Sequence, residues 1–156
     1  MKLQNVYLSG GMEYAEGDGK QWRQDLQEWI ERRLNHRVFN PNVESDRFFA
    51  QHYPELDFRK LKIENTKLYA DIVRHLVDID CSEIAHHSDY VVCYWDESAA
   101  RGAGTKGELT MAKFFHKPVY LVTTFPLHDL PGWILGCVTE SFMTFDELKE
   151  RLAQLR

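Results

Sequence analysis

The stretch GAGTKGE, residues 102–108, combines a glycine-rich turn with a carboxylate. Its first six residues spell G-x-G-x-x-G, the pattern that brings backbone close to a dinucleotide pyrophosphate. That use requires the glycines to follow a strand directly, to open a helix, and to precede an acidic residue about 20 positions on that holds a ribose. Here DESAAR separates the glycines from the end of the preceding apolar run at Trp95, and the next run, ending LVTTF, offers no carboxylate. A P-loop is excluded because no G-K-[ST] closes the pattern. Two readings of the stretch remain open. In one, the glycines make a turn, Thr105 caps a helix, and Glu108 completes a T-x-x-E capping box. In the other, Glu108 is a reactive carboxylate at the carboxyl end of a buried strand, where sites gather in open α/β sheets.

Two further residues bear on that choice. Ile72, Leu76, Asp80 and Ile84 are four apart and share one face of a helix that also carries Val73, Val77 and Ile79. An acid on a packed apolar face requires a partner or a task. A helix-end cap or a pair with Arg74 or Arg101 would satisfy it structurally. Burial would instead raise its pKa into the range of a general acid or base. Tyr7 and Ser9 alternate with Val6 and Leu8 on the first strand and point the same way. Tyr7 is either a core tyrosine or a hydroxyl aimed at the strand's carboxyl end to orient a carboxylate.

The elements that would position these groups follow from periodicity and turn residues. A strand is predicted over 3–9, stopped by Gly10-Gly11, and then a helix over 19–34 with Asp18 and Gln21 as a capping box. HRVFNPN reads as a short strand and 43–57 as an irregular, aromatic-rich flap. One long helix is predicted over 58–86, followed by the strand DYVVCYW and a helix over 105–116. The strand KPVYLVT, the loop FPLHDLPGW and one or two short strands within ILGCVTESFM come next. A closing helix starts at Thr144, with Thr144 and Glu147 as its capping box. This order predicts one doubly wound α/β domain over 1–156, Rossmann-like or flavodoxin-like, with a mostly parallel sheet of about five strands. Ligands are expected beyond the strands' carboxyl ends, at the loops after residues 9, 40, 95 and 123.

Composition narrows the function. Hydrophobic residues make up 44% and aromatic residues 13% of the 156, enough for a core without metal or disulfide staples. The formal charge of −5 and the lack of a Lys/Arg run argue against nucleic acid or an anionic membrane as partner. MKLQNVYLSGGM has no long apolar run, so no signal peptide is expected, and no stretch approaches the ~18 apolar residues of a membrane span. Cys81, Cys93 and Cys137 form no close pair and are expected to be reduced thiols in a cytoplasmic protein. His86 and His87 are helix neighbours with no further ligand at suitable spacing, so no metal is assigned.

VYLSGGM, DIDCSEIAHHSDYVVCYWD and GAGTKGELTMAKFFHKPVYLV together resemble the motifs of the nucleoside 2-deoxyribosyltransferases. The related nucleoside 5'-monophosphate N-glycosidases share them. The match runs through the whole chain in order and is densest over 78–123. The resemblance implies a homo-oligomeric, cofactor-free enzyme acting on a small nucleoside or nucleotide. It assigns Glu108 as the nucleophile that attacks the anomeric carbon, Asp80 as the group handling the proton on the base, and Tyr7 as the group holding the nucleophile. Substrate contacts are expected from Ser9, Gly10, Gly11, Asn40, Arg101, Gly102, Gly104 and Thr105. One departure stands out: transferases of the family often carry an aspartate six residues before the nucleophile, where this chain has Gly102. That leaves room for a 5'-phosphate, with Arg101, Lys106, Ser9 and the Gly10-Gly11 amides as donors. Activity as a hydrolase of monophosphates, or nucleotide binding without turnover, are therefore the alternatives to transfer. The family's transferases also borrow an asparagine from a neighbouring subunit, and PGWILGC shows no match to it.

Overall fold

A computed structural model describes residues 3–155. Five strands, β1 (Asn5–Gly10), β2 (Arg37–Phe39), β3 (Tyr90–Tyr94), β4 (Val119–Val122) and β5 (Glu140–Phe142), form one all-parallel sheet in the order β2-β1-β3-β4-β5. The described helices are α1 (Lys20–Leu34), α2 (Pro41–His52), α3 (Phe58–Glu64), α4 (Thr66–Ser82), α5 (Glu97–Arg101), α6 (Gly104–Phe114), α7 (Gly132–Cys137) and α8 (Phe145–Gln154). The domain is thus doubly wound as expected. Strand order reverses between β1 and β3, so a crevice opens beyond their carboxyl ends.

Alternation along the strands divides the core between two faces. Val6, Leu8, Val92 and Val122 pack against Leu26 and Ile30 of α1 and Leu148 and Leu152 of α8. Tyr7, Val91, Cys93, Val119 and Leu121 pack against Leu109 and Ala112 of α6 and against Ile84. Because β1 and β3 are buried on both faces, their sequences read as continuous apolar runs.

Several local expectations are corrected. Residues 43–57 are largely helical: Asn40 Oδ1 accepts from the Asn42 amide at 3.1 Å and Pro41 sits in the first turn, so Asn40-Pro41 starts a helix as well as ending a strand. The long helix over 58–86 is two helices. Asn65 leaves helical geometry (φ −151°, ψ 80°), and its side chain caps α4 by accepting from Leu68 N at 3.1 Å. The second helix ends in a wide turn over Glu83–His87. Asp18 does not cap α1; it has φ 56°, followed by Gly19 at φ 69°, and its carboxylate meets Arg59 at 2.8 Å. The apolar stripe of α4 is only partly packed, since Ile72 is buried while Val77 and Ile79 are 51% and 40% exposed. DESAAR contains the short helix α5, capped by Asp96 accepting from Ala99 N. Thr105 is not a cap; the position before α6 is Ala103, and Thr105 lies buried in the first turn. Residues 134–143 supply one strand, β5, preceded by α7. The capping box at Thr144 is present in modified form: Thr144 Oγ1 accepts from Glu147 N at 3.2 Å, and the Glu147 carboxylate reaches Met143 N at 2.9 Å. No described helix is long and apolar enough to cross a membrane.

The break at Asn65 gives a direct test. Asn65→Ala removes the cap of α4 and is expected to destabilise the protein by about 1 kcal/mol, lowering Tm by about 2–4 °C in calorimetry. An unchanged Tm would mean that the two helices need no cap between them.

Candidate active site

Tyr7 and Ser9, both fully buried, project from β1 toward the side covered by α6. The Tyr7 hydroxyl donates to Glu108 Oε2, and Ser9 Oγ donates to Glu108 Oε1 at 2.9 Å. Each carboxylate oxygen is therefore held by a hydroxyl from one strand. The Tyr7 ring stacks on Phe39 with centroids 5.3 Å apart, which fixes the phenol from β2. Glu108 thus does not reach back to its own helix start, and the capping-box reading of the glycine stretch fails.

Glu108 faces a cavity of about 510 Å³ whose lining includes Asp80, Gly10, Gly11, Gly102, Gly104 and Thr105. Val73, Leu76 and Val77 of α4 give it an apolar wall, and Tyr14 and Tyr69 an aromatic one. The turn after β1 approaches α5 so closely that a Cβ on Gly11 would lie 1.9 Å from Ser98 Oγ. A Cβ on Gly104, by contrast, would meet nothing within 4 Å, so this glycine leaves space on the cavity side.

The electrostatics divide the two acids. Burial, followed by the charge of Glu108, pushes Asp80 up to about 8, with Arg23 and the Tyr7 hydroxyl opposing the rise. Burial also raises Glu108, but hydrogen bonds from Tyr7 and Ser9 and the charge of Arg23 pull it back. Two carboxyl groups sharing one cavity do not ionise together. The one held by two donors is the better carboxylate, so the first proton lost belongs to Glu108 and Asp80 keeps its own near neutrality. Tyr7 is held well above its ordinary value, chiefly by burial and then by Glu108, so it remains a donor. Burial likewise raises the thiols of Cys81, on the cavity wall, and Cys93, which makes them poor nucleophiles.

Three expected substrate contacts do not line the cavity: Ser9 is fully buried and engaged with Glu108, and the other two lie elsewhere. Asn40 is buried, caps α2 and donates to Gln27 Oε1 at 3.0 Å, outside the cavity lining. Arg101 is exposed, with its guanidinium 4.2 Å from the Tyr14 ring centroid. Lys106 is tied to the Ala100 carbonyl at 2.7 Å. Neither basic residue lines the cavity. Nor does Asp80 have the structural partners weighed for it, because Arg74 binds Asp71 at 2.6 Å and Arg101 lies on Tyr14.

Arg23 is the residue the sequence reading passed over. It is fully buried beside the Gly10-Gly11 turn, donating to the Gly10 carbonyl at 2.8 Å and to Asn42 Oδ1 at 3.0 Å. Its signal was present: Arg23, Leu26, Ile30 and Leu34 make one buried stripe at helical spacing. A cation on that stripe calls for explanation as much as Asp80 does on α4.

No protein-family model matches the chain, and no curated protein does. Solved structures do. The 2-deoxyribosyltransferase of the psychrotolerant bacterium Bacillus psychrosaccharolyticus superposes with a TM-score of 0.60 at 18% identity, over 93% of this chain and 90% of that one. The fold is nucleoside 2-deoxyribosyltransferase-like. A conserved protein from Enterococcus faecalis V583 has a TM-score of 0.62 at 15% identity, over 99% of this chain and all of that one, 100%. At these identities the likeness is one of fold.

Asp80 yields a prediction that needs no substrate. Its folded pKa lies above its unfolded value of 3.8, so between about pH 4 and 8 the native state binds more protons than the unfolded state. Stability contributed by the protonated group is full below the unfolded pKa and is lost as pH rises through the folded one. Asp80→Asn removes that loss. The variant's gain in Tm over the wild type is expected to grow from pH 4 to 8, exceed about 4 °C there and level off above. A pH-independent difference in thermal melts would show that Asp80 is an ordinary carboxylate.

Proposed function

We propose that this protein cleaves the N-glycosidic bond of a nucleoside and transfers the sugar through a covalent glycosyl ester on Glu108. The observation that carries this reading is the pairing of a doubly held carboxylate with a protonated Asp80 across one cavity. Glu108 attacks the anomeric carbon while the bond to the base breaks. The electron pair of that bond leaves with the base nitrogen, which takes the Asp80 proton. The oxocarbenium-like transition state is stabilised by the adjacent carboxylate. In the second half, an acceptor base or water displaces Glu108 from the same carbon and returns its proton to Asp80. Tyr7 and Ser9 aim the carboxylate by holding both oxygens, and the apolar wall of α4 keeps bulk water from Asp80.

Cavity charge favours a free nucleoside over a monophosphate. Glu13, Asp80 and Glu108 line the cavity with Lys62 as the cation, and Lys62 is already paired with Glu13. With Arg101 and Lys106 engaged outside, a 5'-phosphate would lack the paired donors it needs. Hydrolysis of monophosphates is the second reading, favoured by Gly102 standing where transferases of this fold often carry an aspartate. A binding module without turnover is disfavoured, since a second buried acid would weaken anion binding. The exposed Val77 and Ile79 on the helix that carries Asp80 support assembly of copies around the site.

The test incubates wild type, Glu108→Ala and Asp80→Asn with nucleosides and monophosphates, with and without acceptor base, and follows base release by chromatography. Wild type is expected to turn over nucleosides, Glu108→Ala to be inactive, and Asp80→Asn to be slower by about 10²–10⁴-fold. Absence of turnover on every substrate, or full activity of Glu108→Ala, sinks the reading. Activity should also decline above pH about 8, as Asp80 gives up its proton.

A further inference from the structure

The guanidinium of Arg23 has an unusual set of partners. Nη2 donates to Gly10 O at 2.8 Å, and Nη1 donates to Gly19 O at 3.1 Å and to Asn42 Oδ1 at 3.0 Å. Longer contacts of 3.4 Å reach the carbonyls of Leu8, Gly11 and Asp18. Its flat face lies 4.7 Å from the Trp22 ring centroid. Among the described residues no carboxylate is in ion-pair contact with it. A buried cation is normally paired with an anion in contact, because desolvation is otherwise uncompensated. Here the nearby anion is the Glu108 carboxylate, which acts on Arg23 through space, and Asp80 adds to it only once ionised.

The geometry points to Arg23 as a positioning residue of the proposed reaction, with two tasks that rest on that reading of the site. It holds the turn after β1 by its carbonyls, and its charge lets the Glu108–Asp80 pair settle as one carboxylate and one acid. The first task follows from the contacts. Gly10 and Gly11 border the cavity, while their carbonyl oxygens are drawn away from it toward α1. Gly19 has φ 69°, and a Cβ there would lie 2.7 Å from Arg23 Nη1, so the turn closes around this side chain. Arg suits the role because its planar fork serves several fixed acceptors at once, which an ammonium cannot.

The second task follows from the charges around the pair. Tyr7 of β1, Cys93 of β3, Asp80 and Cys81 of α4, and Glu44 of α2 are the titratable groups facing it. These are acids or neutral donors; Glu13 and Lys62 also line the cavity but are paired with each other, and Arg23 is the cation that opposes the rise of both carboxyl groups. Without it, neither Glu108 nor Asp80 would release a proton at the same pH.

The test compares Arg23→Met and Arg23→Lys with wild type by two readouts: the pH profile of base release, and carboxyl ¹³C NMR titration of Glu108 and Asp80. Removing the cation is expected to move both limbs of the profile, and both carboxyl titrations, to higher pH by at least about one unit, a tenfold change in ionisation. Lys keeps the charge and loses the fork, so the limbs stay in place while kcat falls by at least about tenfold. Unmoved titrations in Arg23→Met overturn the electrostatic task, and an unchanged kcat in Arg23→Lys overturns the positioning task. If Arg23→Met does not fold, Arg23→Lys decides alone, since displaced limbs there also overturn the electrostatic task. A wild type without turnover would sink the proposed activity, while the NMR titrations still decide for or against Arg23.

Discussion

Two carboxyl groups in one apolar-walled cavity cannot both be charged without compensation, and much of this structure is arranged around that constraint. Glu108 is compensated by contact, with a hydroxyl on each oxygen. Asp80 receives less and keeps its proton. The difference comes from placement. β1 ends beneath α6 and hands two side chains of alternate register to Glu108, whereas α4 presents Asp80 beside Val73, Leu76 and Val77. Chemically similar acids thereby take opposite protonation states.

This arrangement explains why the site sits at the point where strand order reverses. Between β1 and β3 the connections leave to opposite faces of the sheet, so α1 and α6 approach the end of β1 from opposite sides. One brings a cation and the other an anion. Gly10 and Gly11 permit α1 and α5, respectively, to come so close to the end of β1 that a Cβ on either would obstruct them.

The outer wall is built with less force. α3 is joined to the turn after β1 by ion pairs, Arg59 with Asp18 and Lys62 with Glu13, whose side chains are substantially exposed. Exposed pairs contribute ~0–1 kcal/mol each and are screened by salt. Aromatic contacts add to them: Phe58 stacks on Tyr69 with centroids 4.6 Å apart, and Phe49 packs on Phe58 at the same distance, 4.6 Å. The floor around Glu108 and the wall around Tyr69 therefore differ in kind, one held by buried hydrogen bonds and the other by exposed ion pairs and ring contacts.

Much of this was legible in the sequence. Apolar runs located β1, β3 and β4, because buried parallel strands are short and continuously apolar, whereas the less buried edge strands were located more loosely, β5 only as one or two short strands within ILGCVTESFM. It identified Asp80 as an acid on an apolar stripe and Tyr7 and Ser9 as side chains sharing a face. Residues that serve two purposes were not legible in the same way. Asn40-Pro41 ended a strand and also began α2, Asn65 interrupted an apolar period that continued beyond it, and Arg23 hid among good helix formers. The sequence by itself determined which groups are present and on which face of its own element each one lies, since that depends only on the local repeat. Only the tertiary structure decided that Glu108 accepts from Tyr7 and Ser9, about a hundred residues earlier, instead of capping its own helix. It also decided that Arg23 faces carbonyls and not a carboxylate. These outcomes depend on which elements meet at the end of β1, and no local repeat carries that information.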